Sequence, residues 1–357
     1  MRKYFAMGIA LVTGLATIAQ PITTPRTPSP AASISQTIGI SQVTVSYSRP
    51  SVKGREIWGK LVPYGWNAQN FGNGNPAPWR AGANENTTIR FSNDATVEGK
   101  PVPAGEYGLF FVVNEDNTAD LILSRDHRSW GSFFYNPDQD LLRAKIQLRE
   151  NSFTEMLTYD FINSTRTSSE LVLNWEKKQF PVKIAFDVDK IVLANAAEEL
   201  KNTTGFNAQG FISAANYAVQ NKTDYEQALK WIDQAIAMNK TFAALNVKST
   251  ILREMNKTTE ADKTMAEAIA LSSETELNQY GYQLLGSGQT DKAIEILAMN
   301  AKRFPNSANC FDSLGEAYAK KGDKKNAIAN FKKSLSMNPP ENVKANSEKF
   351  LKDLGAL

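Results

Sequence analysis

The residues best suited to binding or catalysis lie in one segment, positions 46–86. Arginine and lysine are interspersed there with tyrosine and tryptophan, and several glycines interrupt regular structure. Arginine beside aromatic rings can bind a carboxylate or phosphate through two hydrogen bonds, and aromatic platforms with adjacent polar groups also suit sugars. The ligand-binding residues predicted from this pattern are Arg49, Lys53, Arg55, Tyr64, Trp79, Arg80, Asn84 and Glu85.

The same segment also fits a purely structural interpretation. In that case Arg49 and Arg80 pair with Glu56 or Glu85, cap backbone carbonyls and stabilise the edge of the domain. A ligand site instead requires the cations and Trp79 to meet in one solvent-reachable cavity. An enzyme site requires at least one carboxylate in that cavity as well.

Several other chemistries lack the residues they need. The single cysteine, Cys310, excludes a disulfide framework and cysteine-based zinc or iron–sulfur sites, and the single histidine, His127, excludes histidine-rich metal sites. Asp126 precedes His127, and neighbours in extended backbone point to opposite faces, so we predict a surface-loop histidine. Nucleotide-binding glycine motifs and a GxSxG sequence are missing from the chain. We predict no metal and no cofactor, and assign no catalytic residue.

The first 33 residues have the pattern of an exported protein. Residues 1–20 begin with Arg2 and Lys3 and continue with 15 uncharged residues, Phe5 to Ala19, which indicates a secretory signal peptide. An uncleaved anchor is the alternative, although the run is shorter than the roughly 20 residues that span a bilayer. Residues 21–33 contain four prolines and predict an extended tether. We expect a periplasmic or extracellular protein with no transmembrane segment after cleavage.

Apolar and polar residues alternate over residues 34–187. Val43, Val45 and Tyr47 alternate with Thr44 and Ser46, and similar short segments recur between turn residues up to position 186. Period-2 segments rich in β-branched and aromatic residues are typical of antiparallel strands. With no helical period between them, they predict a β-sandwich or jelly-roll-like domain.

After residue 187 the period becomes helical. Residues 188–207 predict a connecting helix and linker, and residues 208–357 contain a repeat. Alanines recur 33, 32 and 34 residues apart, at Ala228, Ala261, Ala293 and Ala327. A small residue lies twelve positions before each of the last three alanines, at Ser249, Gly281 and Gly315. Two helices per unit with small residues at the crossings resemble tetratricopeptide repeats, with a cap helix at 342–354. The sequence therefore predicts a mixed two-domain chain.

Three segments of the β region are similar to signature segments of a known family. They are SRPSVKGREIWGKLVPYG, WRAGANENTTI and VPAGEYGLFF. They resemble a widespread bacterial family of secreted proteins, catalogued as domain-of-unknown-function family 2911 (DUF2911). The resemblance covers roughly residues 34–187 and implies no activity, and some members also carry a tetratricopeptide-like array. Members usually have few residues between PYG and WR, whereas here residues 66–78 intervene and would cover or reshape a pocket near Arg80.

Charge and motif content favour binding over catalysis. The formal charge of +3 falls to +1 once the leader is removed, and neither domain has the basic excess of a nucleic-acid binder. We predict a secreted or periplasmic binding or scaffold protein. Its array would bind a protein or peptide, and its β domain a small molecule or glycan. The alternative is a carbohydrate-active or hydrolytic enzyme with its site in the β domain.

Overall fold

The computed structural model describes residues 28–357. They form two compact units, one ending at Val188 and the other spanning Asp189–Leu357. The predicted signal peptide, residues 1–20, and most of the predicted tether, residues 21–33, lie outside the described residues. Within the described range, the helices are too short or too polar to cross a membrane.

The first unit contains ten strands in the described residues, and every pairing between them is antiparallel. The strands are β1 (Ala31–Ile38), β2 (Ser41–Ser48), β3 (Thr88–Phe91), β4 (Ala95–Val97), β5 (Lys100–Val102), β6 (Gly105–Val113), β7 (Thr118–Ser124), β8 (Asp140–Gln147), β9 (Arg149–Ile162) and β10 (Ser168–Ala185). One sheet has the order β1-β2-β3-β6-β7-β8, and the other has the order β5-β4-β10-β9.

Two boundaries differ from the predicted ones. β1 begins at Ala31, inside the predicted tether, because it pairs along its whole length with β2 across a tight turn at Gly39. The short alternating segments at residues 170–175 and 182–186, which the sequence pattern predicts as two separate strands, belong to one long strand, β10. Its pairing with β9 shifts register around Glu176, which has a positive φ of 53°. A bulge of this kind bends a strand without ending it.

Aromatic side chains from the two sheets meet in the interior. Tyr47 on β2 packs edge-on against Tyr159 on β9, with ring centroids 4.7 Å apart. Phe111 on β6 lies 5.0 Å from Phe180 on β10, and both are fully buried. Burying such a side chain contributes roughly 1.5–3 kcal/mol. The predicted antiparallel β domain is confirmed, and its finer assignment to a sandwich or jelly roll stays a prediction.

The second part of the chain is helical, with ten α-helices in the described residues. They are α1 (Val188–Glu199), α2 (Ala208–Gln220), α3 (Tyr225–Met238), α4 (Phe242–Glu254), α5 (Thr258–Leu271), α6 (Glu274–Gly286), α7 (Thr290–Arg303), α8 (Ala308–Lys321), α9 (Lys324–Leu335) and α10 (Glu341–Asp353). α2–α9 form four consecutive packed pairs, and α10 lies at the predicted cap position.

The repeated small residues lie where paired helices touch. A Cβ placed on Gly281 would lie 2.5 Å from Leu297, and one on Gly315 would lie 2.8 Å from Phe331, so each helix approaches its partner closely. At the equivalent position, the Ser249 hydroxyl donates a hydrogen bond of 2.8 Å to a backbone carbonyl of the partner helix. The predicted helical array is confirmed, and its repeat register follows from these contacts.

Candidate ligand site

A cavity of about 510 Å³ lies in the β domain beside the segment predicted to carry a site. Its walls come from the start of the described chain, the long segment between β2 and β3, the β7–β8 loop and β10. This volume lies within the range typical of small-molecule sites. The lining residues are Pro28, Ser29, Pro50, Ser51, Lys53, Arg55, Leu61, Val62, Pro63, Gly65, Asn67, Gln69, Pro78, Trp79, Arg80, Gly82, Ala83, Asn84, Ser132 and Trp175.

Five of the eight predicted site residues line this cavity, and three do not. Those on the wall are Lys53, Arg55, Trp79, Arg80 and Asn84. Those elsewhere are Arg49, Tyr64 and Glu85.

Arg49 has a structural role instead. Its guanidinium donates hydrogen bonds of 3.0 Å to the Leu157 carbonyl and 2.7 Å to the Thr158 hydroxyl, both on β9. Tyr64 packs against Gly59, where a Cβ would lie 2.8 Å from the tyrosine ring, so the absence of a side chain at Gly59 leaves room for it. Both side chains therefore stabilise the loop that surrounds the cavity and do not reach its interior.

Arg80 is the most constrained cation of the site. Its guanidinium donates a 2.6 Å hydrogen bond to the carbonyl of Asn84 and lies 4.9 Å from the centre of the Phe133 ring. A Cβ on Gly131 would collide with this guanidinium, so glycine is needed there. Burial lowers the pKa of Arg80 from its ordinary value. In the described part of the chain, neither Arg80 nor Arg49 makes the predicted ion pair with a carboxylate.

Lys53 and Arg55 lie on a loop that is fixed to β9. The backbone of Val52 donates to the Glu155 carbonyl at 2.8 Å, and the backbone of Lys53 donates to the Glu155 carboxylate at 2.9 Å. The Arg55 guanidinium donates to the carbonyls of Val52 and Ser51, at 3.1 and 2.5 Å. Both side chains are exposed. Hydrogen bonds fix the backbone of Lys53 and the guanidinium of Arg55.

Two stacked indoles form the aromatic side of the cavity. The rings of Trp79 and Trp175 are 5.8 Å apart and nearly parallel, with an interplanar angle of 17°. Trp79 is held by two backbone hydrogen bonds to Phe111 on β6, at 2.8 and 2.9 Å. Trp175 is 1% exposed, and within residues 28–357 its indole N–H has no hydrogen-bond acceptor.

Three non-glycine residues at or beside the cavity adopt a left-handed backbone conformation. Lys53, Ala81 and Asn84 have positive φ angles of 47°, 51° and 61°. Non-glycine residues adopt this region at a cost, and such residues cluster at functional sites. The carbonyl of Ala81 accepts hydrogen bonds from Tyr159 at 3.0 Å and from Thr87 at 3.2 Å. These bonds hold the segment that carries Arg80.

The segment 66–78 contributes to the cavity wall. Asn67 and Ala77 exchange two backbone hydrogen bonds of 2.9 Å, which closes the segment into a loop. Asn67, Gln69 and Pro78 line the cavity. Among the described residues, no aspartate or glutamate lines it, so the carboxylate that the enzyme hypothesis requires is not found there.

The sequence pattern does not predict part of this wall. Ser29, Ser132 and Trp175 line the cavity, although they are distant in sequence from residues 46–86. Trp175 alone had a usable signal, since a tryptophan in a predicted strand can face the interior. Ser29 and Ser132 have no sequence feature that marks them, because their position follows from how the strands pair.

The helical array carries a second group of polar residues. Asn246 on α4, Asn278 on α6 and Asp312 on α8 occupy the same position in successive pairs, 32 and 34 residues apart. Neither amide side chain hydrogen-bonds within the described range, and Oδ1 of Asn278 is buried without a partner. Asn246 also lines a cavity of about 500 Å³ between the second and third helix pairs.

We call the residues at this repeated position, Asn246, Asn278 and Asp312, the polar stripe. The polar stripe becomes acidic towards the end of the array, at Asp312. Burial raises the pKa of Asp312 and that of Glu316, one turn further along α8. Asn346 on α10 donates to both carboxylates, at 2.8 and 2.6 Å, and Ser347 donates to Asp312 at 2.5 Å. The carboxylates therefore hold the cap helix against α8, whereas the two asparagines have no such role.

The fold defines a class of protein in which an antiparallel β domain is joined to a helical repeat array. Residues 29–184 match the model of the family described as "Protein of unknown function (DUF2911)", and residues 308–341 match that of the tetratricopeptide repeat. The chain therefore carries a DUF2911 domain followed by tetratricopeptide repeats, in the predicted order. Such repeats indicate a protein-interaction scaffold.

Similarity to individual proteins is limited to part of the chain. Cellulose synthase operon protein C of Escherichia coli K12 is 37% identical over 59 residues, which are 16% of this chain and 5% of that protein. This chain thus spans about one twentieth of that relative. YrrB, described as a TPR protein with an unusual peptide-binding site, is 20% identical over 45% of this chain and 84% of its own, with a TM-score of 0.28. PilF of Pseudomonas aeruginosa is 19% identical over 43% and 71%, also with a TM-score of 0.28.

Proposed function

We propose that this protein is an exported binding protein with two binding elements. The repeat array holds an extended peptide or a peptide-like segment of a protein partner along the first helices of its pairs. The β domain binds a second, smaller ligand in its cavity.

The observation that carries the first part is the unpartnered amide of Asn278. A buried polar atom without a hydrogen bond costs roughly 1–3 kcal/mol, so a partner that supplies one is favoured. Asn246 repeats the same group one helix pair earlier. An asparagine amide has both donor and acceptor atoms, which match the C=O and N–H of an extended peptide.

The proposal is tested with a random peptide library selected against the full-length protein. Enriched peptides are then measured by calorimetry against Asn278→Ala and Asn246→Ala. Losing the hydrogen bonds of one amide is expected to weaken binding by about tenfold. Gln279→Ala is the matched control, since Gln279 is the exposed neighbour of Asn278 on α6.

Two outcomes contradict peptide binding by this stripe. One is a selection in which no peptide is enriched over a library passed across immobilised albumin. The other is a set of enriched peptides that bind both asparagine variants as tightly as they bind the wild type and the Gln279→Ala control.

Export is the cellular part of the proposal, and it rests on the sequence of residues 1–20. Expression of the full chain with a C-terminal tag, followed by cell fractionation and N-terminal sequencing, tests it. We expect cleavage near Ala19 or Gln20 and recovery outside the cytoplasm. An intact Met1 in the cytoplasmic fraction would contradict it.

A further inference from the structure

We propose that the β-domain cavity binds an organic anion, a carboxylate or phosphate carried on an apolar group about the size of one aromatic ring. This inference rests on the second part of the proposed function, that the cavity binds a ligand, and it names the chemistry of that ligand.

The charge of the cavity wall favours an anion. Lys53, Arg55 and Arg80 all line it, and no aspartate or glutamate does so in the described part of the chain. The two arginines donate only to backbone carbonyls, and the ammonium of Lys53 has no acceptor among residues 28–357. Because these three cations line one cavity without a carboxylate among its described lining residues, an anion bound there would be attracted to each of them.

Arg80 is the cation that gains most from such a ligand. It is half-buried, and it is held by the Asn84 carbonyl and the Phe133 ring, both of which are uncharged partners. Removing a charged group from water is costly unless it is paired. A guanidinium also has five N–H donors in a planar fork, so one carbonyl leaves donors for a bidentate oxyanion.

A second feature of the cavity wall, independent of charge, is an indole N–H without an acceptor among the described residues. Trp175 lines the cavity, and its buried indole N–H has no acceptor in the range that the structure describes. Buried tryptophan N–H groups usually find a partner. A carboxylate or phosphate bound in the cavity supplies acceptors beside this residue.

The rest of the wall explains the apolar part of the ligand. Leu61, Val62 and Pro63 line the cavity together with the stacked pair of Trp79 and Trp175. Aromatic faces and aliphatic groups bind ring-sized apolar groups, whereas inorganic phosphate alone would leave this surface uncovered. The cavity therefore matches an amphipathic anion better than a free inorganic ion.

The experiment measures four probes on the full-length protein by isothermal titration calorimetry: phenyl phosphate, phenylacetate, benzyl alcohol and inorganic phosphate. We expect at least one of the two aromatic anions to bind about tenfold more tightly than benzyl alcohol and inorganic phosphate. The comparison between phenyl phosphate and phenylacetate distinguishes the two anion sources.

Three variants locate the binding. Lys53→Gln and Arg55→Gln each remove the charge of an exposed side chain, and each should weaken anion binding by about tenfold, with circular dichroism spectra like that of the wild type. Arg80→Gln should weaken it further. Lys60→Gln is the matched control, since Lys60 is an exposed cation of the same segment that does not line the cavity. It should bind like the wild type.

Three outcomes overturn the inference. If benzyl alcohol binds as tightly as the anions, and the cavity variants confirm its location, the cavity binds a ligand but does not select for charge. If no probe binds, both the inference and the proposed second ligand fail. If Lys60→Gln weakens binding as much as Arg55→Gln, the effect is one of net charge and not of the cavity.

Discussion

Replacing Gly315 by alanine is expected to destabilise the repeat array, whereas the same replacement at Gly286 is expected to stabilise it. Both glycines lie in helices, α8 and α6, and both variants gain roughly 1 kcal/mol from the better helix propensity of alanine. The two positions differ in what the new methyl group meets. The difference between the variants therefore measures the closeness of the helix crossing.

The structure sets the size of that difference. A Cβ on Gly315 would lie 2.8, 2.9 and 3.0 Å from three ring carbons of Phe331, whereas no heavy atom lies within 4 Å of a Cβ on Gly286. Phe331 is fully buried and stacked on Phe350 at 5.0 Å, so the ring has little room to move. Overpacking of this kind costs roughly 1–3 kcal/mol. We expect Gly315→Ala to be less stable than Gly286→Ala by about that amount.

The assay is urea denaturation followed by far-ultraviolet circular dichroism, which reports the helical array. A second variant, Phe331→Leu, provides a double-mutant cycle with Gly315→Ala. The smaller side chain should reduce the cost of the added methyl group, which gives a coupling energy between the two positions. A Gly315→Ala variant at least as stable as Gly286→Ala would contradict close packing of Gly315 against Phe331.

Three further predictions follow from side-chain contacts. Arg49→Ala removes hydrogen bonds to Leu157 and Thr158 on β9. Melts followed by near-ultraviolet circular dichroism should show a loss of about 1–3 kcal/mol in stability, and the affinity for the anion probes measured by calorimetry should not change. Because burial raises the pKa of Asp312, the folded protein binds this proton more tightly than the unfolded chain does, and the wild type loses stability as pH rises above the ordinary aspartate range, about 4. Thermal melts of Asp312→Asn should therefore show increasing stability relative to wild type as pH is raised from that range towards neutrality, and a difference that is independent of pH would contradict this. Arg303→Ala removes hydrogen bonds to carbonyls at the end of α5, including that of Ile269. Urea denaturation should show that it lowers the free energy of unfolding of the array by about 1–2 kcal/mol, whereas Lys302→Ala should not.

Local pattern was enough to predict the class of each unit. Alternation with period 2 is a property of single strands, and the spacing of alanines and small residues is a property of helix pairs, so both can be read along the chain. Gly281 and Gly315 could be assigned to helix crossings for the same reason. Element boundaries depended instead on pairing between strands. β1 extends into the predicted tether because it pairs with β2.

The sequence predicted which kinds of residue the candidate site contains, but it predicted only some of the individual residues. Arg49 and Arg80 look alike in sequence, since both are flanked by aromatic residues, proline or glycine. Their roles differ because the acceptors of Arg49 lie 108 and 109 residues away on β9, a distance over which sequence carries no pairing signal. Ser132 and Trp175 reach the cavity through the same long-range pairing.

The cavity wall joins residues from Pro28 to Trp175, so it exists only when the whole β domain is folded. Any ligand of this cavity would then bind the native state and not the unfolded chain. By mass action, a ligand at one hundred times its Kd adds about 2.7 kcal/mol to the stability of such a domain. A domain of this design would be more resistant to unfolding and proteolysis where its ligand is abundant, so its lifetime would depend on its surroundings.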